Sequence, residues 1–162
     1  MLNIIYRSFK ADDSNGVHET ALEAWRYTYR DTFSPTFIEN FVNTNYSPKR
    51  LMGLLPLLES GQMFFHVAEY EARIAGYCNI VVAGEKAELL RIYLRPNFIG
   101  QGVGSNLLQA GEEFLKTNNI STYFCYVHEK NELGKQFYQR SGFQHIQERD
   151  KDDEWYMEKI LN

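Results

Sequence analysis

The chain has 162 residues, 44% apolar and 15% aromatic, with 17 basic against 21 acidic side chains and a net charge of −4. That is the length of one domain with enough apolar surface for a core, which excludes a disordered chain, and the acidic balance excludes a broad basic footprint for nucleic acid. No apolar run approaches the roughly 18 residues of a membrane span, and Met1–Arg7 lacks the apolar stretch of a signal peptide, so a cytoplasmic protein is expected. Cys78 and Cys125 lie in strand-like runs, outside any CxxC pair or metal-ligand spacing. Neither a disulfide framework nor a metal is expected, and the default is a reducing compartment.

Residues 2–7 read as an opening strand. Residues 13–29 follow as a helix, with Val17, Ala21, Ala24, Trp25 and Thr28 on one face and Asp12, Asp13 or Ser14 as its N-cap. A second helical region runs from Pro35 to Leu58, interrupted before Pro48. Residues 63–69, 73–82 and 87–95 read as three strands joined by tight turns, an antiparallel meander. Val103, Leu107, Leu108, Gly111, Phe114 and Leu115 mark the buried stripe of the next helix. A strand over 120–127, a short helix over 131–140 and closing strands over 143–147 and 155–161 complete an α+β, or mixed α/β, domain.

The richest stretch is Gly100-Gln101-Gly102-Val103-Gly104-Ser105, between a strand and a helix. Glycines allow close backbone approach, and a helix start presents unpaired N–H groups and a positive dipole end, which together make an anion site. A Walker A loop does not fit, because no Lys follows a glycine in the required register. The Gly-x-Gly-x-x-Gly dinucleotide fingerprint does not fit either: Ser105 takes the place of the third glycine, and the loop follows a meander rather than the first strand of a βαβ unit.

Ile92-Tyr93-Leu94-Arg95-Pro96 followed by this loop and Asn106-Leu107-Leu108 resembles the GCN5-related N-acetyltransferases (GNAT). A second segment, with Val127, Asn131, Gly134, Phe137-Tyr138 and Ser141-Gly142-Phe143, is similar to their Asn-x-x-Ala-x-x-Phe-Tyr-x-x-x-Gly-Phe signature. Ile99 stands where the family usually has Gln or Arg, and Gly134 where it has Ala. The resemblance implies one N-acetyltransferase domain over 1–162. Its sheet would be mixed and mostly antiparallel, splayed between strands 4 and 5, with helices on both faces.

The resemblance further implies transfer of acetyl from acetyl-CoA to a primary amine by direct attack. Gly100, Gln101, Gly102, Val103, Gly104 and Ser105 would donate N–H groups to the pyrophosphate. Ile92, Tyr93 and Leu94 would pair with the pantetheine arm, and Leu94 N–H would polarise the carbonyl. Asn131 would bond the arm or act as a helix N-cap. Tyr138 would contact the cofactor as general acid toward the leaving thiolate, against a plain role as a core aromatic. Glu88 is the candidate base: it stands six residues before Leu94, and even spacing puts the two side chains on one face. A surface Glu is the competing reading, His128 the second candidate, and water a third. Arg91 either faces solvent or steadies the acceptor. Trp25, Tyr27, Tyr29 and Phe33 read as core, against a role in acceptor contacts, and the acidic residues 148–154 as a solvated loop or an attractor of a cationic amine. The acceptor is a small amine, a polyamine or a peptide N-terminus, and the resemblance leaves room for a homodimer. No membrane or nucleic-acid partner is implied. A non-catalytic acyl-CoA sensor on the same fold and a dinucleotide oxidoreductase are the competing functions.

Overall fold

The structure, a computed structural model, describes all residues 1–162. Strand β1 (Ile5–Ser8) passes through one 3₁₀ turn into α1 (Ser14–Thr28). Asp13 does not cap α1 with its side chain. Its carboxylate instead accepts from Arg7 Nη1 at 2.8 Å and Lys10 N–H at 2.9 Å, tying the strand to the helix start. The helical region after Pro35 breaks twice, giving α2 (Pro35–Asn45), α3 (Pro48–Met52) and α4 (Leu55–Glu59). Ser34 and Ser47 cap the first two of these, accepting from Phe37 N–H and Arg50 N–H, each with a proline in the first turn.

The meander is β2 (Met63–Tyr70), β3 (Arg73–Ala83) and β4 (Lys86–Leu94). Helix α5 (Val103–Thr117), β5 (Thr122–His128) and α6 (Glu132–Arg140) follow. The expected strand over 143–147 shrinks to β6 (Gln144–His145), because a 3₁₀ turn takes the chain at Gln147, and β7 (Glu154–Ile160) closes the chain. The strands form one sheet in the order β1-β2-β3-β4-β5-β7-β6. Every pairing is antiparallel except β4 with β5, which run parallel and meet at Ala87↔Tyr123 and Glu88↔Phe124 alone. Past those two positions the strands part, so the sheet is mixed, mostly antiparallel and splayed between β4 and β5.

Strand alternation sends side chains to two cores, one on each face. Phe64, Ile80, Leu89, Leu107, Tyr123 and Met157 pack on the α5 side. Val17, Ile38, Val42, Phe65, Val67 and Tyr77 pack on the α1–α4 side. β4 carries a bulge: Asn79 pairs with Arg91 and Ile80 with Leu89, leaving Leu90 unopposed.

Arg95, 8% exposed, fastens the end of β4 to α1. Its Nε donates to the Ile74 carbonyl at 2.7 Å, and its terminal nitrogens reach Glu23 at 2.7 Å and Glu19 at 3.3 Å. The buried bond to Ile74 is the larger contributor, because both glutamates are well exposed. Arg95→Met keeps the apolar stem and removes that donor. It is expected to lower stability by about 2 kcal/mol, read as a lower urea midpoint at unchanged m-value.

Candidate active site

The glycine loop uses its three glycines for two purposes. Gly100 and Gly102 have φ of 79° and 82°, where L side chains are strained, while nothing lies within 4 Å of an added Cβ. Gly104 has ordinary dihedrals, but a Cβ there would stand 3.2 Å from the Phe137 ring, so this glycine lets α5 meet α6 closely. The first intrahelical bond is Asn106 N–H to Gly102 O at 3.0 Å. None of the six main-chain N–H groups from Gly100 to Ser105 donates to a protein acceptor. They lie at the start of α5, where its dipole is positive, which suits an anion. The Gln101 side chain turns away to the Asn97 carbonyl, and Val103 is buried at 1% exposure, so both contribute main chain alone.

The split between β4 and β5 opens onto this loop. Arg95 N–H donates to Ala75 O at 2.8 Å, and antiparallel alternation then turns N–H and C=O of Leu94 and Ile92 toward the split. Those of Tyr93 turn toward β3. Of the three expected to pair with an extended arm, Ile92 and Leu94 have free backbone groups. Tyr93 lines the space with its side chain. A cavity of about 440 Å³ runs through the split, lined by Ile92, Tyr93, Leu94, Gly100, Gly102, Gly104, Ser105, Asn131 and Tyr138.

Tyr138 sits on α6 against Phe137 and Phe143, with ring centroids 5.5 and 5.4 Å away. It is 8% exposed and belongs to the α5-side core, so it is both a core aromatic and a cavity wall. Burial pushes its phenol well above its ordinary value, so it stays protonated and able to donate at neutral pH. Asn131 is the N-cap of α6: its Oδ1 accepts from Gly134 N–H at 2.8 Å. The cap uses the oxygen, and the same side chain bonds Tyr29 across the cavity wall. A Cβ on Gly134 would stand 2.6 Å from Asn131 Nδ2, so glycine here makes room for the folded-back cap.

The structure corrects the placement of Glu88. Ala87 and Leu89 point into the α5-side core, so Glu88 faces the α1–α4 side, whereas Leu94 packs on the α5 side. The Leu90 bulge reverses the parity that even spacing assumed. Glu88 is half-buried and lies outside the cavity wall. Burial raises its carboxyl, opposed by the charges of Lys151 and Arg91. His128 lies on the same face, edge-on to Tyr29 and Phe33 at 5.7 and 5.5 Å. Its Nδ1 accepts from Lys130 N–H at 3.1 Å, so Nε2 carries the proton toward Asp153 Oδ2 at 3.1 Å. Both ring nitrogens are engaged, which leaves no free lone pair for a base. The acidic stretch is partly pinned rather than solvated: Asp150 binds His145 Nε2 at 2.9 Å and Tyr156 N–H at 2.8 Å.

The sequence profile described as the acetyltransferase (GNAT) family matches residues 15–143. The chain belongs to the GNAT acetyltransferase family. With membership comes the enzyme class, an acetyl-CoA-dependent N-acetyltransferase. A curated relative, the spermidine N(1)-acetyltransferase of Thermoplasma acidophilum, is 30% identical over 98% of both chains. The crystal structure of the PaiA N-acetyltransferase from Thermoplasma acidophilum in complex with coenzyme A superposes with a TM-score of 0.94. It is 28% identical and covers 99% of this chain and 100% of that one. A GNAT-family protein of Desulfovibrio desulfuricans shares the fold at a TM-score of 0.75 and 18% identity, covering 99% of this chain and 100% of its own.

In this GNAT protein two of the aromatics read as core are both core and cavity wall. Trp25 of α1 and Tyr29 just after it are buried and line the cavity. Burial pushes the Tyr29 phenol up to about 12. Their spacing of four on the buried stripe was visible, but a stripe does not say whether it meets protein or a gap. Gly102→Val puts a β-branched residue at a left-handed φ and distorts the N–H cluster. Coenzyme A affinity is expected to fall about tenfold or more by calorimetry, given a strain of order 1–3 kcal/mol. Unchanged affinity would contradict the assignment of this loop.

Proposed function

We propose that residues 1–162 form a single N-acetyltransferase domain that moves the acetyl group of acetyl-CoA to a primary amine by direct attack. Small amines, polyamines and peptide N-termini are the acceptor classes. The observation that carries this reading is the run of six unclaimed N–H groups at the mouth of a split that leads to a buried phenol. No helix is long and apolar enough to cross a membrane, and both cysteines are buried and free, which favours the cytoplasm as the place of action.

Acetyl-CoA supplies an activated thioester. The N–H groups of Gly100 to Ser105 would hold its pyrophosphate, and the free backbone groups of Ile92 and Leu94, with the Asn131 amide, would hold its pantetheine arm. Leu94 N–H points into the split, where it can stabilise charge developing on a carbonyl oxygen. Tyr138 donates its phenolic hydrogen to the departing thiolate. A thiol releases its proton near pH 8.5 and a buried phenol far higher, so much of the help comes as a hydrogen bond that strengthens as sulfur gains charge. Glu88 takes up the acceptor proton through water, since it stands behind the cavity wall, and positioning of the amine carries the remaining advantage.

Tyr138→Phe is expected to lower kcat about 100-fold with coenzyme A affinity unchanged. Full turnover in that variant would remove the phenol from the mechanism. The base form of Glu88 is lost as pH falls through a raised pKa, so the acidic limb of kcat/KM should lie above the usual carboxylate value of about 4.3. Glu88→Gln should abolish that limb; an identical profile rules Glu88 out as base. A failure of the protein to bind coenzyme A at millimolar concentration would overturn the whole reading.

A further inference from the structure

Arg91 stands on β4 three residues after Glu88, on the same α1–α4 face, with its guanidinium carbon 4.7 Å over the Tyr46 ring. It is partly buried, and no carboxylate lies within ion-pair distance. Its Nε is enclosed and bonds nothing. Directly opposite in register, Asn79 is fully enclosed with both amide atoms unpartnered, and two residues before it the enclosed Tyr77 hydroxyl is unpartnered as well. Tyr46 and Tyr93 share one hydrogen bond, with 3.1 Å between their hydroxyls.

The acceptors of this seam are all neutral: the Asn79 carbonyl oxygen, the Tyr77 hydroxyl and the Tyr46 hydroxyl, which contacts the Arg91 guanidinium. Elsewhere the chain neutralises its enclosed arginines: Arg95 meets Glu19 and Glu23, and Arg7 meets Asp13 and Glu69. A half-buried cation with no ion-pair partner in contact is costly, and the guanidinium fork matches a carboxylate in two-point geometry. A second cation, Lys151, lies over the Tyr126 ring at 4.7 Å on the same side of the sheet. The anions facing this region are Glu88, Glu154 and Asp153, and Asp153 is already engaged with His128. Glu88 and Arg91 stand too far apart to pair, so a single acceptor with opposite charges several bonds apart would satisfy both.

We propose that Arg91 reads a carboxylate on the acceptor, so that the favoured substrate is an amine that also carries an anionic group, such as an amino acid or peptide. This rests on the acetyltransferase reading above and narrows its acceptor. The competing acceptor is a polycation, the class for which the Thermoplasma acidophilum relative is named.

Three amines separate the two: 5-aminopentanoate, pentylamine and 1,5-diaminopentane present the same primary amine with an anionic, neutral or cationic far end. At saturating acetyl-CoA, with thiol release as the readout, kcat/KM should favour 5-aminopentanoate over pentylamine by about tenfold or more, the scale of a charge-assisted pair. Arg91→Gln should bring that ratio near one, and Arg91→Lys should keep part of it. A wild-type preference for the diamine overturns the proposal. So does a ratio that survives Arg91→Gln, which would make the guanidinium a packing partner of Tyr46. Thiol release with none of the three, nor with spermidine or a peptide bearing a free N-terminus, overturns the acetyltransferase reading itself and is told apart by the absence of any rate.

Discussion

The parting of β4 from β5 is the constraint on which the rest depends. The parallel ladder stops at Glu88 and Phe124, in the middle of a seven-stranded sheet. Backbone groups left unpaired inside a protein cost about 1–3 kcal/mol each, so such a gap persists only if its flanks are held firmly. They are: β4 is laddered to β3 and β5 to β7 along their lengths, and the α5-side core runs beneath both. Ile92, Leu94 and Tyr138 wall the opening on that side, and Trp25 of α1 with Tyr29 just after it walls the other.

Two devices for holding a ligand meet at this opening, and both use main chain. Ile92 and Leu94 offer strand-edge groups, which suit a linear amide-bearing arm. The loop from Gly100 to Ser105 offers a cluster of N–H groups at the start of a helix, which suits a phosphate. Neither needs a particular side chain beyond glycine where φ is positive or where α6 comes close. The split and the loop are therefore shaped by backbone geometry.

The α1–α4 face of the sheet is shaped by one extra residue. The Leu90 bulge turns Glu88 and Arg91 to the α1–α4 side while Ile92 and Leu94 stay on the α5 side. One strand thereby presents different groups to the two faces of the sheet. Its end lines the split, and its earlier residues carry a carboxylate of raised pKa and a guanidinium with no ion-pair partner. His128 completes this face, with its tautomer set by Lys130 N–H and Asp153.

Local requirements are written into the sequence, and these were readable there. Gly100 and Gly102 announce positive φ, Ser34-Pro35 and Ser47-Pro48 announce helix starts, and alternating apolar residues announce the meander. The two glycine- and asparagine-bearing segments, taken together, pointed to the family and the cofactor. The tertiary structure alone decided what depends on a partner strand or a packed neighbour. A bulge exists only in the register between two strands, so the face taken by Glu88 was invisible in spacing. A cavity exists only where distant elements fail to meet, so Trp25 and Tyr29 looked like any buried stripe. Arg91 could be seen as a charge in an apolar run, but its lack of an ion-pair partner is a property of the folded surroundings.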